Sequence, residues 1–153
     1  MEYIESAKEP AGGGCVFCSL LEARAPGEPI LARGDHAFAT LAKYPYNPGH
    51  MLVLPIRHTG ELEDLTTEES VEIASLLVRC VRALQEESDP HGFNIGLNLG
   101  RVAGAGIPDH LHWHVVPRWN GDTNFMPVVG QTRVLPELLE ESYRKLAPRF
   151  AKP

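Results

Sequence analysis

The segment DHLHWHVVPRW, residues 109 to 119, puts histidine at every second position: His110, His112 and His114. A period of two is that of an extended strand, whose successive side chains point to opposite faces. The three imidazoles therefore share one face, while Leu111, Trp113 and Val115 share the other. The apolar face anchors the strand in a core and leaves the histidines to line a site. Neutral imidazole is a nucleophile and a metal ligand, and its charge changes near neutral pH. One histidine on an exposed edge strand calls for no function. Three in register, backed by an apolar face, do.

The rest of the chain sets the frame for that strand. Its 153 residues suffice for one domain with a real core, and 43% hydrophobic against 22% charged residues is ordinary for a soluble globular protein. No apolar run has the length of a membrane span, and no signal-peptide pattern opens the chain. A formal net charge of −6 argues against nucleic-acid and membrane partners. It is compatible with a small phosphorylated ligand, because backbone dipoles can hold phosphate locally. The three cysteines, Cys15, Cys18 and Cys80, are an odd number without a secretory signal, which points to a reducing compartment and a cytoplasmic protein.

Residues 1–14 end in three glycines and read as a flexible arm, with the domain proper over 15–153. A CxxC turn and a short helical piece follow, broken at Pro26-Gly27. ILARGDHAFATL reads as two strands with a turn near Gly34-Asp35, and Asn47-Pro48-Gly49 as a turn delivering a strand from His50 to Pro55. Thr66 and Glu69 have capping-box spacing ahead of a long helix whose apolar stripe is Ile73, Leu76, Leu77, Cys80 and Leu84. GFNIGLNLG reads as a buried strand ending at Gly100, HLHWHVVPR as another, and the final helix spans about Leu135 to Leu146. Strands, helix, strands, helix is the pattern of an α+β domain with a mainly antiparallel sheet, one long helix and one C-terminal helix.

Ahead of the histidines, GRVAGAGIPDH holds Gly100, Gly104 and Gly106, which suits a loop whose N–H groups approach phosphate oxygens. Cys15 and Cys18 have zinc-knuckle spacing, but a tetrahedral site needs two further ligands. Buried thiols are the competing reading, and a redox pair fits less well because no βαβ pattern surrounds the motif. Trp119, with Asn120 to Phe125 after it, either stacks a second nucleoside base or packs on the sheet. His36 and His91 sit near turns and read as solvated; Glu61 to Asp64, and Glu137 with Glu140 and Glu141, read as solvated faces. Arg118 meets either phosphate or a surface carboxylate.

His110-Leu111-His112-Trp113-His114-Val115-Val116 fits, at every position, the His-φ-His-φ-His-φ-φ hallmark of the histidine-triad family, φ being apolar. The resemblance extends from CVFC through NPGHMLVLP and GFNIGLNLG to PRWNGDTNF, and its branch looks most like the bacterial diadenosine-tetraphosphate phosphorylases and hydrolases. It implies a histidine-triad fold, a homodimer whose sheets join across the interface, and a nucleotide hydrolase or transferase acting on dinucleoside polyphosphates. His112 would attack the α-phosphorus to form a covalent nucleotidyl-histidine, released by phosphate or water. His114 would donate a hydrogen bond to the phosphate, His110 would complete the catalytic triad, and His50 matches the histidine placed beside it. Asn98, Trp119 and the backbone of Gly104, Ala105, Gly106 and Ile107 would bind the nucleotide. Relatives complete a zinc site on the CxxC with residues matching His58 and His110, which implies structural Zn²⁺ on Cys15, Cys18, His58 and His110. Mg²⁺ is expected only in company with a polyphosphate substrate.

Two departures from the family pattern stand out. Ala42 occupies a position that often carries a ribose-contacting asparagine. Ala105-Gly106-Ile107-Pro108 replaces a stretch that often supplies a hydroxyl to the leaving group. These keep open the alternatives of a nucleoside phosphoramidate or adenylylsulfate hydrolase, and of a nucleotide-binding interaction module with little turnover.

Overall fold

The computed structural model describes residues 14–23, 28–122 and 137–151; the expected arm, apart from Gly14, lies outside them. The elements are α1 (Val16–Ala23), β1 (Ile30–Arg33), β2 (Ala37–Leu41), β3 (Met51–Pro55), α2 (Thr67–Ser88), β4 (Gly92–Leu97), β5 (Trp113–Arg118) and α3 (Leu139–Phe150). The strands form one sheet in the order β1-β2-β3-β5-β4, with every neighbouring pair antiparallel. This is the α+β architecture that the alternation of elements predicts. No helix among the described residues is long and apolar enough to cross a membrane.

The long helix begins where the capping box places it. Thr66 Oγ1 accepts from the Glu69 N–H at 3.2 Å, and Glu69 returns a carboxylate to the Thr66 N–H at 2.9 Å. Arg57 grips the same carboxylate from the β3 side, tying the start of the helix to the sheet. The helix stops at Asp89, whose φ of 43° lies in the left-handed region.

Strand alternation divides the sheet into two working faces. Ala37, Ala39, Leu41, Met51, Val53 and Val115 point to α2 and α3 and form the main core with Ile73, Leu76, Cys80 and Leu84. Each large side chain buried there contributes about 1.5–3 kcal/mol. On the other face Phe38, Leu52 and Leu54 pack beneath Phe17 and Leu21 of α1. Leu52 pairs with His114, and His114 with Gly96, so the histidines extend this second face beyond the edge of α1. The sequence period thus sorts the β5 residues correctly: Trp113 and Val115 to the core, His114 and Val116 to the open side.

Three expectations need correction. The ladder begins at Trp113, so His110 and His112 precede β5 instead of lying within it. The backbone there is committed elsewhere: Leu111 N–H donates to the Thr59 carbonyl at 2.7 Å, and Gly60 packs so tightly on Pro108-Asp109 that a Cβ would lie 2.7 Å from the Pro108 carbonyl oxygen. Strand β4 is not buried; it is the sheet edge, and Ile95 on it is 49% exposed. The apolar content of GFNIGLNLG hid this, because edge and buried strands share a composition. The last helix runs to Phe150, past the expected end at Leu146, because buried Phe150 packs under Arg79. Residues 135–136 of its expected start lie outside the described residues.

Candidate active site and metal centre

Hydrogen bonds fix the tautomer of each histidine. The N–H of Tyr46 donates to His50 Nδ1 at 3.1 Å, so the proton of His50 sits on Nε2. That Nε2–H donates to His114 Nδ1 at 3.0 Å, which places the proton of neutral His114 on Nε2. His114 Nε2 is buried and has no hydrogen-bond partner among the described residues. A relay running from the backbone of Tyr46 through two rings therefore ends in one N–H with nothing to donate to. In His112 the order is reversed. Its Nδ1 lies 2.9 Å from the His110 carbonyl and must carry the proton, so Nε2 keeps the lone pair.

Burial keeps these rings neutral. His50 is pushed down to about 3, by burial first and then by His114 and His112. His114 is pushed down to about 4 by burial and by His112. Burial also lowers His112, which is 6% exposed. Phe17 stands 5.3 Å from the His112 ring and 5.5 Å from the His110 ring, centroid to centroid, and walls both from solvent. Tyr46 stacks on His50 at 5.0 Å with an interplanar angle of 16°.

Cys15, Cys18, His58 and His110 converge, their ligand atoms all within 4.8 Å of one another. Cys15 Sγ lies 3.3 Å from His110 Nδ1, and Cys18 Sγ lies 3.5 Å from His58 Nδ1 and 3.8 Å from His110 Nδ1. Tetrahedral Zn²⁺, with metal–sulfur near 2.3 Å and metal–nitrogen near 2.05 Å, requires sulfur–nitrogen edges of about 3.6 Å. Three sulfur–nitrogen separations, 3.3, 3.5 and 3.8 Å, are already close to that spacing. His110 Nε2 lies 2.9 Å from the Pro55 carbonyl and carries its proton there, which turns the Nδ1 lone pair toward the sulfurs. Burial and the neighbouring Cys15 push the Cys18 thiol up to about 11, and a bound divalent cation reverses that preference by coordinating thiolate. The donor set and its spacing fit zinc. Among the described residues this is the one group of three or more His, Cys, Asp and Glu side chains so placed.

The other expected site residues divide. Asn98 faces the site and its amide reaches the Gly104 carbonyl at 3.5 Å. The Gly104 and Ala105 N–H groups donate inside the loop, to the Arg101 and Gly100 carbonyls. Trp119 is half-buried, and its Nε1–H donates to the Ser88 carbonyl at the end of α2, at 3.4 Å. Arg118 meets a carboxylate, forming two hydrogen bonds to Asp122 and one to Asn94 Oδ1. His36 and His91 are exposed, although His91 Nδ1 accepts the Asn120 N–H. Glu137 is no solvated residue; it bonds Ser142 and Lys145. Ala42 is buried in the apolar cluster with Leu52 and Phe38.

Sequence reasoning passed over Phe17, Tyr46 and Asn47. Phe17 lies inside the CVFC motif but was legible only as a helix residue. Asn47 read as a turn former, yet its Nδ2 donates to the Pro117 carbonyl and to Asp122, both at 2.8 Å, and so fastens the NPGH turn to the end of β5. A polar side chain at the first position of a turn is the usual sign of local backbone bonding, so nothing marked this long-range role.

His114 on β5, His110 and His112 in the segment leading into it, His50 bridging to His114 from just before β3, and a five-stranded antiparallel sheet define a histidine-triad protein. The HIT domain model matches residues 27–121, and the chain belongs to that family. A Mycobacterium tuberculosis protein named AP-4-A phosphorylase is 49% identical over 123 residues, covering 80% of this chain. The chain spans 63% of the length of that relative. A Methanocaldococcus jannaschii HIT-like protein is 32% identical over 71% of this chain and 81% of its own length. Among solved structures, a Zn-bound histidine triad family protein from Mycobacterium smegmatis superposes with a TM-score of 0.73 at 34% identity, covering 91% of this chain and 94% of the other.

Proposed function

We propose that this protein cleaves dinucleoside polyphosphates of the diadenosine tetraphosphate type through a covalent nucleotidyl-histidine on His112. One observation carries the reading: the His110 carbonyl holds the Nδ1 proton of His112, which leaves the Nε2 lone pair as nucleophile beside the undonated N–H of His114. His112 Nε2 forms a bond to the α-phosphorus, and the bond from that phosphorus to its bridging oxygen breaks. The electron pair leaves with the polyphosphate, and the proton stays on His112 Nδ1, donated to the His110 carbonyl. His114 Nε2–H donates to the phosphate oxygen that gains charge. In the second step phosphate or water displaces His112 and yields a nucleoside diphosphate or monophosphate. The name of the Mycobacterium tuberculosis relative favours phosphate as the acceptor.

The absence of a hydroxyl in Ala105-Gly106-Ile107-Pro108 supports this substrate class over a phosphoramidate. A departing polyphosphate ends in a phosphate with a pKa near 6 and leaves without an acid, whereas an amine needs a proton delivered to it. His110 serves by position: one ring nitrogen faces the cysteines, the other bonds Pro55, and its carbonyl orients His112. Zn²⁺ on Cys15, Cys18, His58 and His110 would fasten α1 to the active-site segment, with no open position for substrate. The exposed edge of β4 is where a second copy would extend the sheet into a homodimer.

Single-turnover reaction with labelled diadenosine tetraphosphate tests the mechanism. Acid-labile label on His112, with ATP released, and no label on His112→Asn are expected. ADP accumulating only with phosphate marks a phosphorylase, and AMP without it a hydrolase. Tight noncovalent retention with no label would make the domain a binding module, and unchanged turnover in His112→Asn would end the proposal.

A further inference from the structure

A groove of about 530 Å³ runs along a face of β4 and β5 that no helix among the described residues covers. It starts at His114, passes over Val116 and ends at Arg118, leading away from His112. From this we infer that the groove is the subsite for the departing nucleoside polyphosphate, an inference that rests on the proposed reaction.

Displacement at phosphorus is in line: the attacking and leaving atoms lie on opposite sides of the centre. With His112 Nε2 as nucleophile and His114 Nε2–H on the phosphoryl oxygens, a leaving oxygen directed past His114, away from His112, satisfies that geometry. The groove occupies that side. Four residue steps of strand lead from His114 to Arg118, about 13 Å, which is room for a phosphate chain and a sugar.

The walls suit such a ligand. Gly96 pairs directly with His114, and a Cβ there would meet nothing within 4 Å, so no side chain of the described residues crowds Gly96 on the route past the imidazole. Asn94 and Asn98 lie one pleat to either side of Gly96 and offer amides along the path. Tyr46, stacked on His50, supplies an aromatic side wall. At the far end the Arg118 guanidinium is held in one orientation by Asp122 and Asn94. Trp119, the residue the sequence offered for a second base, bonds Ser88 instead.

The test is Asn94→Glu, which keeps an acceptor for Arg118 but adds a negative charge to the groove. Two substrates are compared: diadenosine tetraphosphate, and an aryl ester of AMP whose leaving group is a small aryloxide. The ratio of kcat/KM, long substrate over short, should fall at least about tenfold, mainly through KM and less at high salt. Equal losses on both substrates, or no change in the ratio, overturn the subsite. Calorimetric titration with ATP and with AMP, on the full chain and on Asn94→Glu, reads the groove without turnover. ATP should bind at least about tenfold tighter than AMP, and the variant should erase the difference. Equal affinities in the unaltered protein refute the groove. A missing His112 label alongside a clear ATP preference would refute the reaction and leave the subsite standing.

Discussion

Lowering the pH from 7 to 5.5 should destabilise this fold chiefly through His50 and His114. Both are held neutral by burial, at about 3 and about 4, whereas an unfolded histidine titrates near 6.5. Above 6.5 neither state is charged and the folded protein keeps its full stability. As the pH falls below 6.5 the unfolded chain takes up protons that the folded rings refuse, and stability is lost until the folded rings themselves protonate near 3 to 4. Between pH 7 and 5.5 each ring accounts for about 1.2 kcal/mol, or about 2.5 kcal/mol together, from the linkage relation at 1.36 kcal/mol per pKa unit. The window avoids the carboxylates, whose ordinary values lie at 4.5 and below. Urea titration reads the change as a fall in midpoint of about 1.2 M for a slope near 2 kcal/mol/M. His50→Gln supplies the comparison, since Gln can accept from Tyr46 and donate to His114 yet carries no charge. Its stability should vary with pH by about 1.2 kcal/mol less over the same interval. Protonation of zinc ligands affects both proteins and cancels. Parallel pH profiles for the two would show that His50 is not held neutral in the fold, and the tautomer relay would fail with it.

Two further outcomes follow from the described contacts. Cys18→Ser should lose the bound zinc equivalent, measured by metal analysis. A chelator should then lower the stability of the unaltered protein, by about 4 kcal/mol if the metal stood a thousandfold above its Kd, but not that of the variant. The Glu72 carboxylate accepts the N–H groups of Asp35, His36 and Ala37 at the β1–β2 turn, and a Cβ on Gly34 would lie 2.1 Å from its Oε1. Glu72→Ala should cost about 2–3 kcal/mol, and Gly34→Ala should add little to it because both changes remove the same contact; additive losses in denaturant titrations would contradict that.

What the sequence disclosed depended on how local the cause was. The capping box at Thr66 and Glu69, the turn at Asn47-Pro48-Gly49 and the two-residue period of β5 are short-range, and each stands where the residues predict it. The inner limit of β5 was not legible, because it is set by Thr59 and Gly60, some fifty residues away in the chain. The zinc quartet was half legible: CxxC spacing marks two ligands, while His58 and His110 came from family resemblance. The Glu72 contact with the β1–β2 turn left no sequence signal at all, since an acidic residue on a helix reads as solvated. Nor could composition reveal that β4 is an edge, because that depends on the order in which the strands pair.

The two halves of the candidate metal cluster stand far apart in the chain, His110 lying 95 positions after Cys15. During synthesis the cysteines emerge early and His58 next, but the fourth ligand is in place only after β4 and the turn ahead of β5 have been made. A metal held by all four residues is therefore a late event, closing only once the sheet has found its register. Tight retention of such a metal would report a nearly finished fold, and a chain stalled before His110 would hold it weakly and surrender it to any competing thiol.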